Sequence, residues 1–225
     1  MKEIGKNINT INNQLKDSKA KLVAVSKTKP NSDIMEAYDS GQRIFGENKV
    51  QELVSKYEDL PKDIEWHMIG HLQRNKVKYI APFIHLIHSV DSLKLLKEIN
   101  KQGEKNNRVI NCLLQIHIAE EETKFGMDEK EVLELLESQE IKSMEYVKIV
   151  GLMGMATNTD NEKQIEREFR SINVFFEHLR SEYQSDNIEI KELSTGMSGD
   201  YQIAAANGST LVRVGSSIFG ARNYG

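Results

Sequence analysis

The chain has 225 residues, 39% of them hydrophobic and 28% charged, with a formal net charge of −4 and one cysteine. That length holds one large domain or two small ones, and the mild negative charge gives no bias toward nucleic acid or an anionic membrane. A single cysteine, Cys112, rules out an intramolecular disulfide and a CxxC metal or redox motif.

In chain order, Ile4, Ile8, Ile11 and Leu15 fall on one helical face. They lie in a polar N-terminal stretch with no continuous apolar core, so it is not read as a secretory signal. No apolar run approaches the ~18 residues of a membrane span; a cytoplasmic globular protein is expected. A strand is predicted over 22–27, then a helix capped by Asn31-Ser32 and running through Tyr38. Further strands are predicted over 43–46, 66–70 and 86–90. Asp91-Ser92 caps a helix containing Leu95, Leu96 and Ile99. A strand over 112–119 precedes a short helix after Asp128, with Val132, Leu133, Leu135 and Leu136 on it. A strand over 149–155 leads to a helix after Asn161 with Ile165, Phe169, Ile172, Phe176 and Leu179 on one face. Strands over 192–194 and 211–214 flank a helix containing Tyr201 to Asn207, with Ser198 at its start. Short buried strands alternating with helices predict parallel strands joined by helical crossovers. Eight such units predict a single-domain (β/α)8 barrel over 1–225; an open doubly wound sheet is the alternative.

In a barrel, the site lies where strands end and the following loops begin. Those positions carry Lys27, then Gly46-Glu47-Asn48, Gly70-His71, Gly154-Met155-Ala156-Thr157, the run from Ser194 to Asp200, and Gly215-Ser216-Ser217. The loops STGMSGD and VRVGSSIFG follow the seventh and eighth strands, where phosphate-binding barrels place their anion site. Glycine lets backbone N–H groups approach an anion, and serine adds a hydroxyl donor. Ordinary turns with a serine cap would read the same way.

A lysine after the first strand is either a covalent site for a carbonyl or a side chain reaching solvent. Arg213 alternates with Leu211 and Gly215, opposite to Val212 and Val214. An interior arginine needs a polar partner, which a carboxylate, a phosphate or a ring nitrogen would supply. His67 and His71 are four apart, a chelating spacing on a helix but not on a strand. His85, His88 and His117 show no metal-ligand spacing, and no metal is expected.

The stretches LVAVSKTKP, FGENKVQE, WHMIGHLQRNK, HSVDS, KFGMD, GLMGMAT and LSTGMSGDYQIAAANGSTLVRVGSSIFGAR span residues 22 to 222. In them the chain resembles the pyridoxal phosphate homeostasis proteins, single-domain relatives of alanine racemase and other fold-type III enzymes. The resemblance implies a (β/α)8 barrel holding pyridoxal 5'-phosphate on Lys27 as a Schiff base. It implies a phosphate end at Met197, Ser198, Gly215 and Ser216, with Arg213 near the pyridine nitrogen. Asn48 is expected to line the cofactor side and His67 to pack near the ring. An arginine beside the ring nitrogen cannot take up its proton, which weakens the cofactor as an electron sink. Thr195 stands where relatives often have Met, and His117 where many have Asn.

The resemblance implies a role in intracellular vitamin B6 balance: binding, buffering or delivering the cofactor, with PLP-dependent apoenzymes as partners and no catalytic residue. A monomer is expected, because alanine racemase draws a second proton-transfer tyrosine from a further domain and a dimer partner that this sequence does not supply. The alternative is a PLP-dependent racemase or lyase on a small amino acid. A more remote one is an aldolase-type barrel using Lys27 on a phosphosugar.

Overall fold

A computed structural model describes residues 2–119 and 126–220. The strands are β1 (Lys21–Val25), β2 (Ile44–Glu47), β3 (Glu65–Met68), β4 (Leu86–Val90), β5 (Ile110–Gln115), β6 (Val147–Met153), β7 (Gln184–Ser185), β8 (Ile188–Ser194) and β9 (Leu211–Val214). The helices are α1 (Glu3–Leu15), α2 (Asn31–Asp39), α3 (Val50–Asp59), α4 (Val77–Ile80), α5 (Leu93–Lys105), α6 (Glu129–Glu137), α7 (Gln139–Lys142), α8 (Glu162–Glu182), α9 (Tyr201–Ala206) and α10 (Ser216–Phe219). Strands β1 to β6 pair in sequence, β6 pairs with β8, β8 with β9 and β9 with β1, all in parallel. That ring is a closed eight-stranded barrel, and the doubly wound alternative is excluded. The two-residue β7 stands outside it, antiparallel to β8.

Alternation within the strands divides the core in two. Val23, Leu86, Leu113, Val150, Met153 and Leu211 fill the barrel interior. Their neighbours Leu22, Ala24, Phe45, Trp66, Ile87, Val212 and Val214 face outward into the layer shared with the helices. Ile8, Ile11 and Leu15 of α1, and Ile165, Phe169, Ile172, Phe176 and Leu179 of α8, bury the predicted faces.

The predicted cap at Ser92 is present, and Asn161 and Asp128, which precede two further predicted helices, cap them as well. Ser92 Oγ accepts from Leu95 N at 3.4 Å, Asn161 Oδ1 from Gln164 N at 3.3 Å, and Asp128 forms a reciprocal capping box with Glu131. Asn31 does not cap α2: Pro30 holds that position, and the Asn31 amide donates to Asp59. Ser198 does not start α9, whose N-cap is Asp200; residues 198–200 form a turn. The first strand ends at Val25, so Lys27 sits in the following turn. The strands predicted over 66–70, 112–119 and 149–155 begin one or two residues earlier and end two to four residues earlier. Helix α3 is an addition to the predicted elements. Lys124 and Phe125 of KFGMD, and Ala221 and Arg222 of the last motif, lie outside the described residues.

One glycine is required for closure. Gly151 lies at the irregularity where β6 meets β8, and a Cβ there would stand 1.7 Å from the Glu192 carbonyl oxygen. Gly151→Ala is expected to cost about 3 kcal/mol, the upper end of overpacking. This lowers Tm by roughly 6–12 °C for a domain of this size. Gly199→Ala, with nothing within 4 Å of its Cβ, is the control. Equal melting of both variants in a thermal scan would refute the argument.

Candidate functional site

A cavity of about 320 Å³ opens at the C-terminal mouth of the barrel. Of the residues expected there, Lys27, Asn48, Met197, Ser198, Arg213, Gly215 and Ser216 line it. The β1 alternation accounts for Lys27: Val23 faces the interior, Val25 lines the cavity, and position 27 continues the same side. On β9, Leu211 faces the interior and Arg213 and Gly215 follow it to the mouth.

His67 is the exception. It lines a different cavity, at the N-terminal mouth. The reason is register: β3 begins at Glu65, so alternation puts Glu65 at one mouth, His67 in mid-barrel and Ile69 at the other. His71 is also apart from the C-terminal cavity, 3.7 Å from Asp91 on the surface.

The sequence did not point to Val25, Lys29 or Ile69 as cavity residues, and all three line it, beside Gly199 and Gly220 of the two predicted loops. Lys29 Nζ donates to the carbonyls of Phe219 at 2.8 Å and Gly220 at 3.4 Å, holding the end of α10 against the turn after β1. Ser198 Oγ accepts from Gly215 N at 3.2 Å, which ties together the two loops read as a phosphate site. Ser216 and Ser217 stand in the first turn of α10, where backbone N–H groups have no acceptor within the helix.

Arg213 is 4% exposed. Its Nη1 donates to the Ser194 carbonyl at 2.8 Å and to Ser194 Oγ, and its Nη2 to the Gly154 carbonyl at 3.0 Å. Burial pulls the guanidinium down to about 10, against the opposing charge of Asp200, so it is a cation at neutral pH. No carboxylate bonds it among the described residues. A buried cation facing a cavity without a carboxylate partner fits an anionic or electron-rich ligand.

Beneath Arg213 a polar chain runs down the barrel axis. Ser194 Oγ lies 2.9 Å from His88 Nδ1, and His88 Nε2 lies 2.9 Å from His67 Nδ1. Burial lowers His67 to about 3, helped by His85, and holds His88 well below its ordinary value, helped by His67 and Arg213. Both rings are therefore neutral at pH 7. His88 alternates inward with Leu86 of the interior core, a signal that alternation on β4 carries.

Under Lys27 lies a buried ion cluster. Lys56 Nζ donates to Glu47 Oε1 at 2.8 Å, Glu52 Oε1 at 2.6 Å and the Ser26 carbonyl at 2.8 Å. Ser26 Oγ donates to Glu47 Oε1, and Thr28 N donates to Glu52 Oε1, each at 2.6 Å. The residues on both sides of Lys27 are thus anchored, and Thr28 is held at φ 64°, a left-handed conformation that threonine rarely adopts.

The family described as "Alanine racemase, N-terminal domain" matches residues 1–223. A pyridoxal phosphate homeostasis protein of Aquifex aeolicus is 41% identical over 206 residues, 91% of this chain and 88% of that protein. The structure of PipY from Synechococcus elongatus with PLP bound superposes with a TM-score of 0.85 at 33% identity, covering 96% of this chain and all of PipY. An alanine racemase of Bartonella henselae shares the fold at a TM-score of 0.72 and 16% identity, covering 97% of this chain and 58% of that one. The chain belongs to the alanine racemase N-terminal domain family, and within it to the pyridoxal phosphate homeostasis proteins.

Proposed function

We propose that this protein binds pyridoxal 5'-phosphate at the C-terminal mouth of the barrel and serves intracellular vitamin B6 balance by holding, buffering and delivering it. The observation that carries the reading is the cavity: two lysines, one buried arginine and two tied glycine-serine loops converge on it. Ser198, Ser216 and the backbone around Met197 and Gly215 would hold the phosphate. Arg213 would face the ring nitrogen, and Asn48 would line the side. When bound, the cofactor supplies an aldehyde that condenses with an amine and a ring that withdraws electrons. Arg213 stays charged and hands no proton to that ring, which leaves the electron sink weak.

A carrier role fits this better than turnover. Among the described residues no tyrosine lines the cavity, so the proton-transfer tyrosine of alanine racemase has no counterpart there, and the second lysine, Lys29, is tied to the Phe219 and Gly220 carbonyls. We further propose a cytoplasmic monomer that exchanges cofactor with PLP-dependent apoenzymes. Among the described residues no helix is long and apolar enough to cross a membrane. The test is an absorbance spectrum of the purified chain, then incubation with a PLP-dependent apoenzyme and with racemic and single-enantiomer amino acids. Expected are a yellow protein, transfer of colour to the apoenzyme and unchanged amino acids. A colourless protein that ignores added cofactor overturns the binding site; steady epimerisation or loss of an amino acid overturns the carrier role.

A further inference from the structure

His67 has a nitrogen to spare. The ring is 2% exposed, its Nδ1 is spent on His88, and its Nε2 has no hydrogen-bond partner. A buried polar atom left without a partner is uncommon and costs free energy unless something meets it. His67 lines the cavity of about 220 Å³ at the N-terminal mouth, opposite the cofactor side.

Two more donors border that cavity. Glu65 stands two residues earlier on β3, on the same face as His67. His85 immediately precedes β4, and its backbone N–H donates to the Trp66 carbonyl at 2.9 Å, which sets it beside β3. One donor atom from each of Glu65, His67 and His85 lies within 4.8 Å of the other two. Glu65 Oε2 and His85 Nε2 are 3.6 Å apart, and the His67 and His85 rings stack with centroids 5.5 Å apart and planes 11° from parallel. We propose that Glu65, His67 and His85 form a binding site for a divalent transition-metal ion of the zinc class at the N-terminal mouth of the barrel.

The donor set is two imidazoles and one carboxylate, which suits a borderline ion and leaves a fourth position for water. Tetrahedral zinc with bonds of 2.0–2.2 Å sets its donors about 3.3 Å apart. From separations of at most 4.8 Å, the three donors need to close by up to about 1.5 Å to reach that spacing. His67 is fixed by its surroundings, whereas the Glu65 and His85 side chains are 45% and 48% exposed and can turn toward it. Lys191 lines the same mouth, with its ammonium drawn 3.1 Å from Glu189.

The second shell has the order that such a site needs. A metal on His67 Nε2 requires the proton on Nδ1, which then donates to His88 Nε2. His88 in turn donates from Nδ1 to Ser194 Oγ, which also accepts from Arg213. An ion at one mouth thereby fixes the direction of the hydrogen-bond chain that reaches Arg213 at the other.

The test titrates the full-length chain, as purified and dialysed against chelator, with Co²⁺ alone and then Zn²⁺ alone. Co²⁺ is followed by its visible ligand-field bands and Zn²⁺ by calorimetry. Expected are one ion per chain, tetrahedral-type Co²⁺ bands displaced by Zn²⁺, and at least about 10-fold weaker binding in His85→Ala and in Glu65→Gln. His88→Gln, which removes the orienting acceptor, is expected to weaken binding about 10–100-fold. Circular dichroism confirms that the two half-exposed variants fold. No stoichiometric ion in the wild type, or equal binding by wild type and His85→Ala, overturns the proposal; the second result would place the ion elsewhere, for example at His71 and Asp91.

Discussion

Lys27→Ala is expected to abolish covalent retention of pyridoxal 5'-phosphate, read as loss of the borohydride-fixed adduct, whereas Lys29→Ala retains it. Both lysines line the same cavity, so proximity alone does not choose between them. Their surroundings do. Lys29 Nζ is committed to the carbonyls of Phe219 and Gly220, bonds that an ammonium makes and that draw the amine toward α10. Lys27 instead continues the inward side of β1 past Val23 and Val25. Its turn is fixed by bonds on Ser26 and Thr28 to Glu47, Lys56 and Glu52. Attachment needs an amine held in one place near the carbonyl it meets. Lys27→Ala is still expected to bind the cofactor non-covalently through the loops joined by Ser198 and Gly215. Lys29→Ala is expected to bind more weakly, because α10 loses its tie, with the adduct on Lys27. Peptide mapping of the reduced protein decides it. An adduct on Lys29 in the wild type, or one that survives Lys27→Ala, would sink the assignment.

The barrel was legible because each strand carries its own local signal. Positions 86–90 and 211–214 match the observed bounds, and all eight predicted strands exist. The start of β8 escaped because Glu189 and Lys191 set exposed charges between the buried Ile188 and Ile190, which leaves no apolar run. Helix α3 was passed over although Val50, Leu53 and Lys56 share its buried side, since a lysine does not read as core. That same Lys56 is the centre of the cluster under Lys27, so the missed helix and the missed supporting network have one cause.

The cavity was legible for a different reason. Strand ends converge in a barrel, so a residue's place along its strand gives its place in the site. His67 shows the limit of that argument. Its expected place beside the ring came from the resemblance, whereas the strand predicted over 66–70 already set it three residues short of the strand's end. The group of Glu65, His67 and His85 has no motif at all. Its members meet only because β3 and β4 pair with His67 opposite Leu86, a contact no spacing rule encodes.

Lys56→Met is expected to cost about 3–5 kcal/mol, the penalty of leaving a buried charge without its partner. For a domain of this size that lowers Tm by roughly 6–20 °C. The Glu47 side chain is fully buried, and Lys56 is the cation that meets it. Burial already raises the Glu47 carboxyl above its usual range, and Lys56 works against that rise by charge and hydrogen bond. Glu47→Leu combined with Lys56→Met removes both charges and is expected to recover much of the loss, since an apolar pair of similar size replaces a buried ion pair at little cost. The sign of the pH dependence identifies the cause. A carboxyl whose folded pKa is raised contributes stability at low pH and loses it as pH rises through that value. The Lys56→Met deficit should therefore shrink on acidification and grow as pH rises, while the double variant stays level. Urea unfolding of wild type, single and double variants across that range measures all three. A deficit that ignores pH, with no recovery in the double variant, would trace the loss to the packing of the lysine stem instead of the stranded carboxylate.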